Sequence, residues 1–277
     1  MDYLAIGHVT KDLIPGSARL GGTVTFASLT ARALGLRVGA LTSAPDGAMA
    51  GGLLAPLHSL DTLVIIPSET FTTFENTYTG SRRTQTLSAR AARLTETHLT
   101  ADLRGTGIVH LAPLANEVDP ALAGAFPSAL VGVTPQGWMR AWDAKGRVHF
   151  SPWRGPERIL THAAAVVMSI EDAANDERYI EELASQAQVL VVTRGANGCT
   201  LFVKGENVVI PAPHMAERDP TGAGDIFAAA FFVRLRETGD PLRAARFATR
   251  LASASVTRTG VASIPTPDEI AAARGVD

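Results

Sequence analysis

Cysteine is almost missing from this sequence: Cys199 is the only one in 277 residues. That excludes an internal disulfide and any cysteine-based zinc cluster, and leaves Cys199 as filler of core space. Lysine is nearly as scarce, at Lys11, Lys145 and Lys204 alone, so arginine carries the basic charge and is not by itself a mark of a selected site. Neither sign of charge dominates, since 25 basic and 27 acidic residues leave a net charge of -2. The balance speaks against nucleic acid or an anionic membrane as partner and for a small metabolite. No apolar run approaches the ~20 residues that cross a bilayer. The opening Met1-Asp2-Tyr3-Leu4-Ala5-Ile6-Gly7 has neither the basic start nor the long apolar stretch of a signal peptide, so a cytoplasmic location is expected. Also missing are a His-Glu-x-x-His pair, a Gly-x-Ser-x-Gly elbow and a Gly-x-x-x-x-Gly-Lys-Ser/Thr loop, which argues against a zinc hydrolase, an α/β-hydrolase and a Walker-type nucleotidase.

What the chain does have is apolar material: 46% hydrophobic against 19% charged residues, enough for a large core. Short β-branched runs alternate with longer helical periods, the pattern of a mostly parallel sheet covered by helices, so an α/β fold is expected over a single domain, residues 1–277. Core strands are expected at Leu4 to Ile6, Val38 to Leu41, Ile108 to Leu111, Leu130 to Val133, Ala165 to Met168 and Val189 to Val192, apolar throughout as strands buried on both faces should be. Helices are expected over Thr23 to Leu34, Glu171 to Gln186 and Gly224 to Glu237, and another after the cap Asp240-Pro241. Thr70 to Ser88, rich in Thr, Phe and Tyr, reads as a hairpin turning at Thr79-Gly80-Ser81, with Arg82 and Arg83 as a solvated face. It is long enough to stand off the sheet as a lid. Cys199 to Val203 and Val208 to Ile210 read as a second hairpin with Lys204 at its tip.

Chemistry concentrates in Asp219-Pro220-Thr221-Gly222-Ala223-Gly224-Asp225, which leads into the apolar run Ile226 to Leu235. Small residues at a helix amino terminus leave backbone N–H groups open to an anion of phosphate size. A carboxylate beside such a hole repels phosphate, and makes sense as acceptor of a proton from an attacking hydroxyl. The bland alternative is that Asp225 only caps the helix and the glycines only turn the chain.

The longer context resembles the ribokinase-like, or PfkB, carbohydrate kinase family. Asp219 through Phe227 reads as its carboxyl-terminal signature, and Gly7 to Asp12 with Gly21-Gly22 as its sugar-binding half. Thr193-Arg194-Gly195-Ala196-Asn197-Gly198 looks like its nucleotide-phosphate turn, and Ala254 to Gly260 like the lining of its adenine pocket. The resemblance implies a three-layer ribokinase-like fold with a small β-sheet lid, its insertions near residues 12–20 and 68–90. It implies a kinase moving the terminal phosphoryl group of ATP, with Mg2+, to a hydroxyl of a sugar or cyclitol. Asp225 is then the base, and the Gly222, Ala223 and Gly224 amides hold the developing charge. Thr193, Gly195, Gly198 and Thr221 face the donor phosphates, although a strand ending in a glycine turn is common without a ligand. Asp12, Gly21 and Gly22 take the acceptor, the alternative being an exposed aspartate and an ordinary helix-entry turn.

The sequence departs from the family in two places. Where the family often has Asn-x-x-Glu to organise magnesium through water, the chain has Ser169-Ile170-Glu171-Asp172. Asp172 is the candidate for a metal-bound water, or a helix-start charge. Phe26 stands where many members have asparagine, which argues against plain ribose or fructose. The stretches Thr72 to Tyr78 and Val133 to Arg140 look more like the myo-inositol kinase branch, with Gln136 and Arg140 either facing a polyhydroxylated or acidic acceptor or merely exposed. Other sugars, keto-sugar acids and nucleosides stay open as acceptors, and so does a non-catalytic homologue that senses a sugar or nucleotide. The family resemblance leaves room for a monovalent cation and a homodimer.

Overall fold

The computed structural model describes residues 1–14, 16–50, 52–79 and 82–275, with backbone alone at 78, 79, 82 and 83. The chain enters as β1 (Tyr3–Ile6), swings out into β2 (Thr10–Ile14) and β3 (Ser17–Gly21), and returns through α1 (Thr23–Ala33) to β4 (Val38–Ala44) and β5 (Thr62–Pro67). A second excursion, β6 (Thr72–Thr79) and β7 (Arg82–Ala89), leads by the short α2 (Ala101–Arg104) to β8 (Ile108–Leu111) and β9 (Leu130–Val133). Then follow a small hairpin, β10 (Arg140–Trp142) and β11 (Val148–Phe150), the short α3 (Glu157–Leu160), β12 (Ala165–Ser169), α4 (Glu177–Gln186) and β13 (Val189–Thr193). The edge hairpin β14 (Cys199–Val203) and β15 (Glu206–Ile210) precedes three closing helices, α5 (Ala223–Thr238), α6 (Pro241–Ser255) and α7 (Pro267–Arg274).

The central sheet has the order β15-β14-β13-β12-β9-β8-β1-β4-β5 and is parallel except at β14 and β15. Its inner strands are buried residue after residue, as the continuous apolar runs require. One face packs on α1, α5 and α6 through Phe26, Phe231, Phe232 and Phe247. The other carries a second core around Leu103, Phe126, Trp138 and Ile180. Helix α5 is apolar nearly all round, Ile226 to Val233 being buried without a break, which fits a helix enclosed by the sheet and two other helices. Asp240 accepts the amides of Leu242 and Arg243, and Pro241 sits at the first turn of α6, as expected.

A separate four-stranded sheet, β3-β2-β6-β7, joins the two excursions. β2 pairs antiparallel with β3 and parallel with β6, so the two excursions form one surface. The β10–β11 hairpin docks on it through a Thr86–Arg147 bridge and a third small core of Phe74, Leu87, Leu114 and Ala115.

The helix expected over Glu171 to Gln186 is broken: a 3-10 turn, Ile170–Ala173, ends where Ala174 and Asn175 take positive φ, and α4 starts afresh after the cap Asp176. The Gly80-Ser81 part of the expected turn, and the Arg82 and Arg83 side chains, lie outside the described residues. Among the described residues no helix is long and apolar enough to cross a membrane.

Candidate active site

The segments after β1, β8, β9, β12 and β13 all leave the carboxyl edge of the parallel strands, and the amino terminus of α5 comes to the same edge. In open α/β sheets this edge is where ligands bind. The turn into α5 is built by its own residues: Asp219 accepts the Thr221 amide at 3.0 Å, and Pro220 accepts the Ala223 amide at 3.1 Å. Ala223 has therefore spent its N–H, contrary to the three-amide hole expected from sequence. The amides of Gly222 and Gly224 donate to no backbone group among the described residues. Gly222 has φ of 83°, and a Cβ there would lie 2.5 Å from Phe26 Cδ1. Phe26, only 1% exposed, is thus the floor under Gly222.

Asp225 stands on the first turn of α5, half-buried, and is hydrogen-bonded to Thr23 at the start of α1. Burial pushes its carboxyl up to about 7. The Thr23 hydrogen bond and the Arg140 guanidinium oppose the rise, and the carboxylates of Asp172 and Asp12 add to it. Asp12, Asp172 and Arg140 therefore all lie within electrostatic reach of Asp225, although the sequence spreads them over more than two hundred positions.

In the small sheet, Thr10 donates to Asp12 Oδ1 at 2.8 Å, and the Asp12 carboxylate occupies the space a side chain at Gly21 would need. Gly22 has φ of 91° at the entry to α1, with the His8 carbonyl and Leu114 closing the space beside it. Arg140 lies 5.7 Å from the centre of the Phe74 ring and donates to the Leu114 carbonyl at 3.3 Å.

Glu117 was not anticipated from sequence. Its carboxylate is 1% exposed and accepts the amides of His8 (3.0 Å), Leu114 (3.0 Å) and Ala115 (2.6 Å), clamping the segment after β8 to the segment after β1. His8 is also buried, its Nε2 2.8 Å from the Ala92 carbonyl and its Nδ1 2.6 Å from the Thr72 hydroxyl, which ties β1 to β6. Nothing local announces either residue.

The remaining candidates divide. Gln136 donates to Asp172 Oδ1 at 2.7 Å, so it faces Asp172 and orients that carboxylate. Asp172 Oδ2 accepts the Ser169 amide at 2.9 Å in a reciprocal cap. A carboxylate with two donors still has lone pairs for a metal-bound water, so Asp172 fits an indirect magnesium role, while no cluster of three His, Cys, Asp or Glu residues among those described could hold a metal directly. Thr193 ends β13 half-buried and donates to the Met168 carbonyl at 3.4 Å. Gly195, with φ of 56°, has open space where a side chain would be. Gly198 is different: a Cβ there would collide with the Ile210 carbonyl, so the close approach of β15 accounts for that glycine. Arg258 of the expected adenine lining spends its guanidinium on Glu269 and on the Ala262 carbonyl.

Residues 158–269 match the family model described as pfkB family carbohydrate kinase. The ribokinase of Bacillus subtilis (strain 168) is 41% identical over 91 residues, 32% of this chain and 31% of the relative. The inositol 3-kinase of Zea mays is 35% identical over 133 residues, 47% of this chain and 34% of the relative. The matched stretches thus span about a third of these curated relatives. Solved structures match over almost the full length. One is a pyrophosphate-dependent myo-inositol-1 kinase converted into a myo-inositol-3 kinase, with TM-score 0.82, 21% identity and 99% of both chains covered. Another is Arabidopsis thaliana ribokinase complexed with ribose and ATP, with TM-score 0.75, 18% identity and 98% of both chains covered. A pfkB family carbohydrate kinase model thus matches the carboxyl-terminal part of the chain, and the solved kinases of the ribokinase family share its fold over almost the full length.

Proposed function

We propose that this chain transfers the terminal phosphoryl group of ATP to a hydroxyl of a sugar or cyclitol, with Asp225 as general base. The observation that carries the reading is Asp225 itself: a carboxyl group held at about 7, beside two uncommitted amides at the start of α5. A base of that strength is half ionised near neutrality, the condition under which proton removal in the transition state is worth ~10²–10⁴-fold in rate. The acceptor lies against Asp12 and the Gly21-Gly22 backbone, and its attacking hydroxyl gives its proton to Asp225. Gly222 and Gly224 direct their N–H groups at the charge that develops on the transferred phosphoryl group. Thr193, Gly195 and Thr221 flank the donor phosphates. Magnesium, when bound, neutralises those phosphates, and Asp172, held by Gln136 and Ser169, orients a water of its shell.

The four-stranded sheet serves as the lid that excludes water. Arg19 of β3 reaches Asp219 of the α5 turn at 3.4 Å, so the sheet's edge is linked to the loop that forms the anion hole. Myo-inositol is the leading acceptor, supported by the likeness to the Zea mays inositol 3-kinase and to the myo-inositol kinase structure. Because that structure is of a pyrophosphate-dependent enzyme, the donor belongs in the test as well. The purified chain with magnesium is incubated with ATP or pyrophosphate and a panel of cyclitols, hexoses, pentoses, sugar acids and nucleosides, and products are identified by mass. A phosphorylated cyclitol or sugar made with ATP is the expected result. Saturable binding without product for any acceptor and either donor would replace the enzyme by a sensing homologue.

A further inference from the structure

Beside the acceptor region the described residues enclose a cleft of about 530 Å³ whose walls include Trp138, Trp142, Trp153, Arg93, Arg140 and Arg154. The chain has three tryptophans, and all of them line this one cleft. They are firmly placed. Trp138 and Trp153 stack with ring centres 5.4 Å apart and planes 16° apart, and Trp138 donates to the Val118 carbonyl at 3.0 Å. Trp142 has the Arg90 guanidinium 5.6 Å from its ring centre. Past Arg93 a smaller cleft of about 330 Å³ continues the groove, with Arg158 and His162 in its wall.

The charge there is one-sided on a chain that is slightly acidic overall. Arg93 is paired with Asp119 at 3.2 Å. The side chains of Arg154, Arg158 and His162 make no ion pair or hydrogen bond among the described residues. Trp138 and Trp153 are nearly buried, 8% and 6% exposed, and back the wall, so the indole open to a ring is the half-buried Trp142, while guanidinium forks suit the oxygens of a phosphate. The volume of the larger cleft is in the usual range for a small-molecule site, ~300–1,000 Å³.

The geometry points to a second ligand site, separate from Asp225, that takes a phosphorylated ring compound: the phosphate against Arg93 and Arg154, the ring against Trp142. Several cationic groups around one groove favour a dianion over a carboxylate. No residue of the 219–225 turn lines this cleft, and Arg140 alone is common to it and the acceptor side, so the site stands whether or not the chain is a kinase.

Because every tryptophan is in the cleft, its occupation is read in the intrinsic fluorescence of the unlabelled full chain without any donor present. A myo-inositol monophosphate is titrated in, with myo-inositol and inorganic phosphate in parallel as its two halves. The expected result is a saturable change with the ester at about millimolar concentration or below, and a weaker response to either half alone. Arg154 is exposed, so Arg154→Glu leaves the fold intact by circular dichroism and weakens the ester at least about tenfold, equivalent to ~1.4 kcal/mol. Asp225→Asn keeps the response. No saturable change in the wild-type chain would overturn the site. A response that survives Arg154→Glu unchanged, or that inorganic phosphate reproduces in full, would do the same.

Discussion

Replacing Asp225 with asparagine is expected to abolish transfer and, above neutral pH, to make the protein more stable. The carboxyl is raised from its ordinary 3.8 to about 7, chiefly by burial. Below about pH 4 the folded and unfolded chains both hold this proton, and the group has no effect on stability. Between about 4 and 7 the unfolded chain has released the proton while the folded chain retains it. Stability therefore falls as pH rises, by up to ~1.4 kcal/mol per pH unit. Above about 7 both forms are ionised and the loss levels off near ~4 kcal/mol, a ceiling because Asp225 keeps some contact with solvent. Asparagine never ionises and can still bond Thr23, so Asp225→Asn recovers that loss at high pH and nothing at low pH. Urea unfolding of both proteins at about pH 4, 6 and 8 measures it, with equal stability expected at the lowest and a gain of ~2–4 kcal/mol at the highest. In the wild type, the same ionisation makes kcat/KM for the acceptor rise about tenfold per pH unit up to about 7 and then level. His110 does not confuse the profile, since burial holds it down at about 3 and neutral throughout. A stability gain equal at all three pH values, or none at the highest, would refute the argument from burial. Wild-type-like turnover in Asp225→Asn would refute the base.

Asp172→Asn removes a carboxylate that raises Asp225, so the acid limb of the rate profile should move to lower pH, while Arg140→Gln should move it higher; both are read from kcat/KM against pH. Gly222→Ala forces a Cβ against Phe26 at positive φ, and should cost ~2–5 kcal/mol in urea unfolding and most of the activity. Adding Phe26→Leu should return part of the stability, because it relieves the clash and leaves the backbone strain. Glu117→Gln turns a donor toward three amides that now share a carboxylate, and should destabilise by about 3 kcal/mol and raise the acceptor KM more than it lowers kcat. Arg19→Ala breaks an exposed ion pair worth under ~1 kcal/mol, so Tm should hardly move while KM rises if that pair keeps the small sheet against the α5 turn.

What could be read from sequence was whatever a short stretch decides for itself. Strands buried on both faces show as unbroken apolar runs, and Asp240-Pro241 contains its own cap, so the sheet and α6 were visible in advance. The missed break after Ala173 also had a local cause: Ser169 caps one turn, Asp176 caps the next, and two capping residues seven positions apart are a better guide than the apolar period that continues across them. Phe26 shows where such reading stops. A phenylalanine at that point of α1 has the same spacing whether it faces a ligand or the core, and only the approach of Gly222, nearly two hundred residues later, decides that it packs under the turn into α5. Glu117 is further out of reach, because its partners include the amide of His8, 109 positions away, and the pairing exists only once β1 and β8 lie side by side. The same holds for Asp225. Its place at a helix start was legible from the glycines before it, but its proton affinity is set by burial and by Thr23, Asp172, Arg140 and Asp12, which arrive from α1, from the segments after β12 and β9, and from the small sheet. Local sequence thus located the carboxylate proposed as base, and the fold supplies the surroundings that raise its proton affinity toward neutral pH.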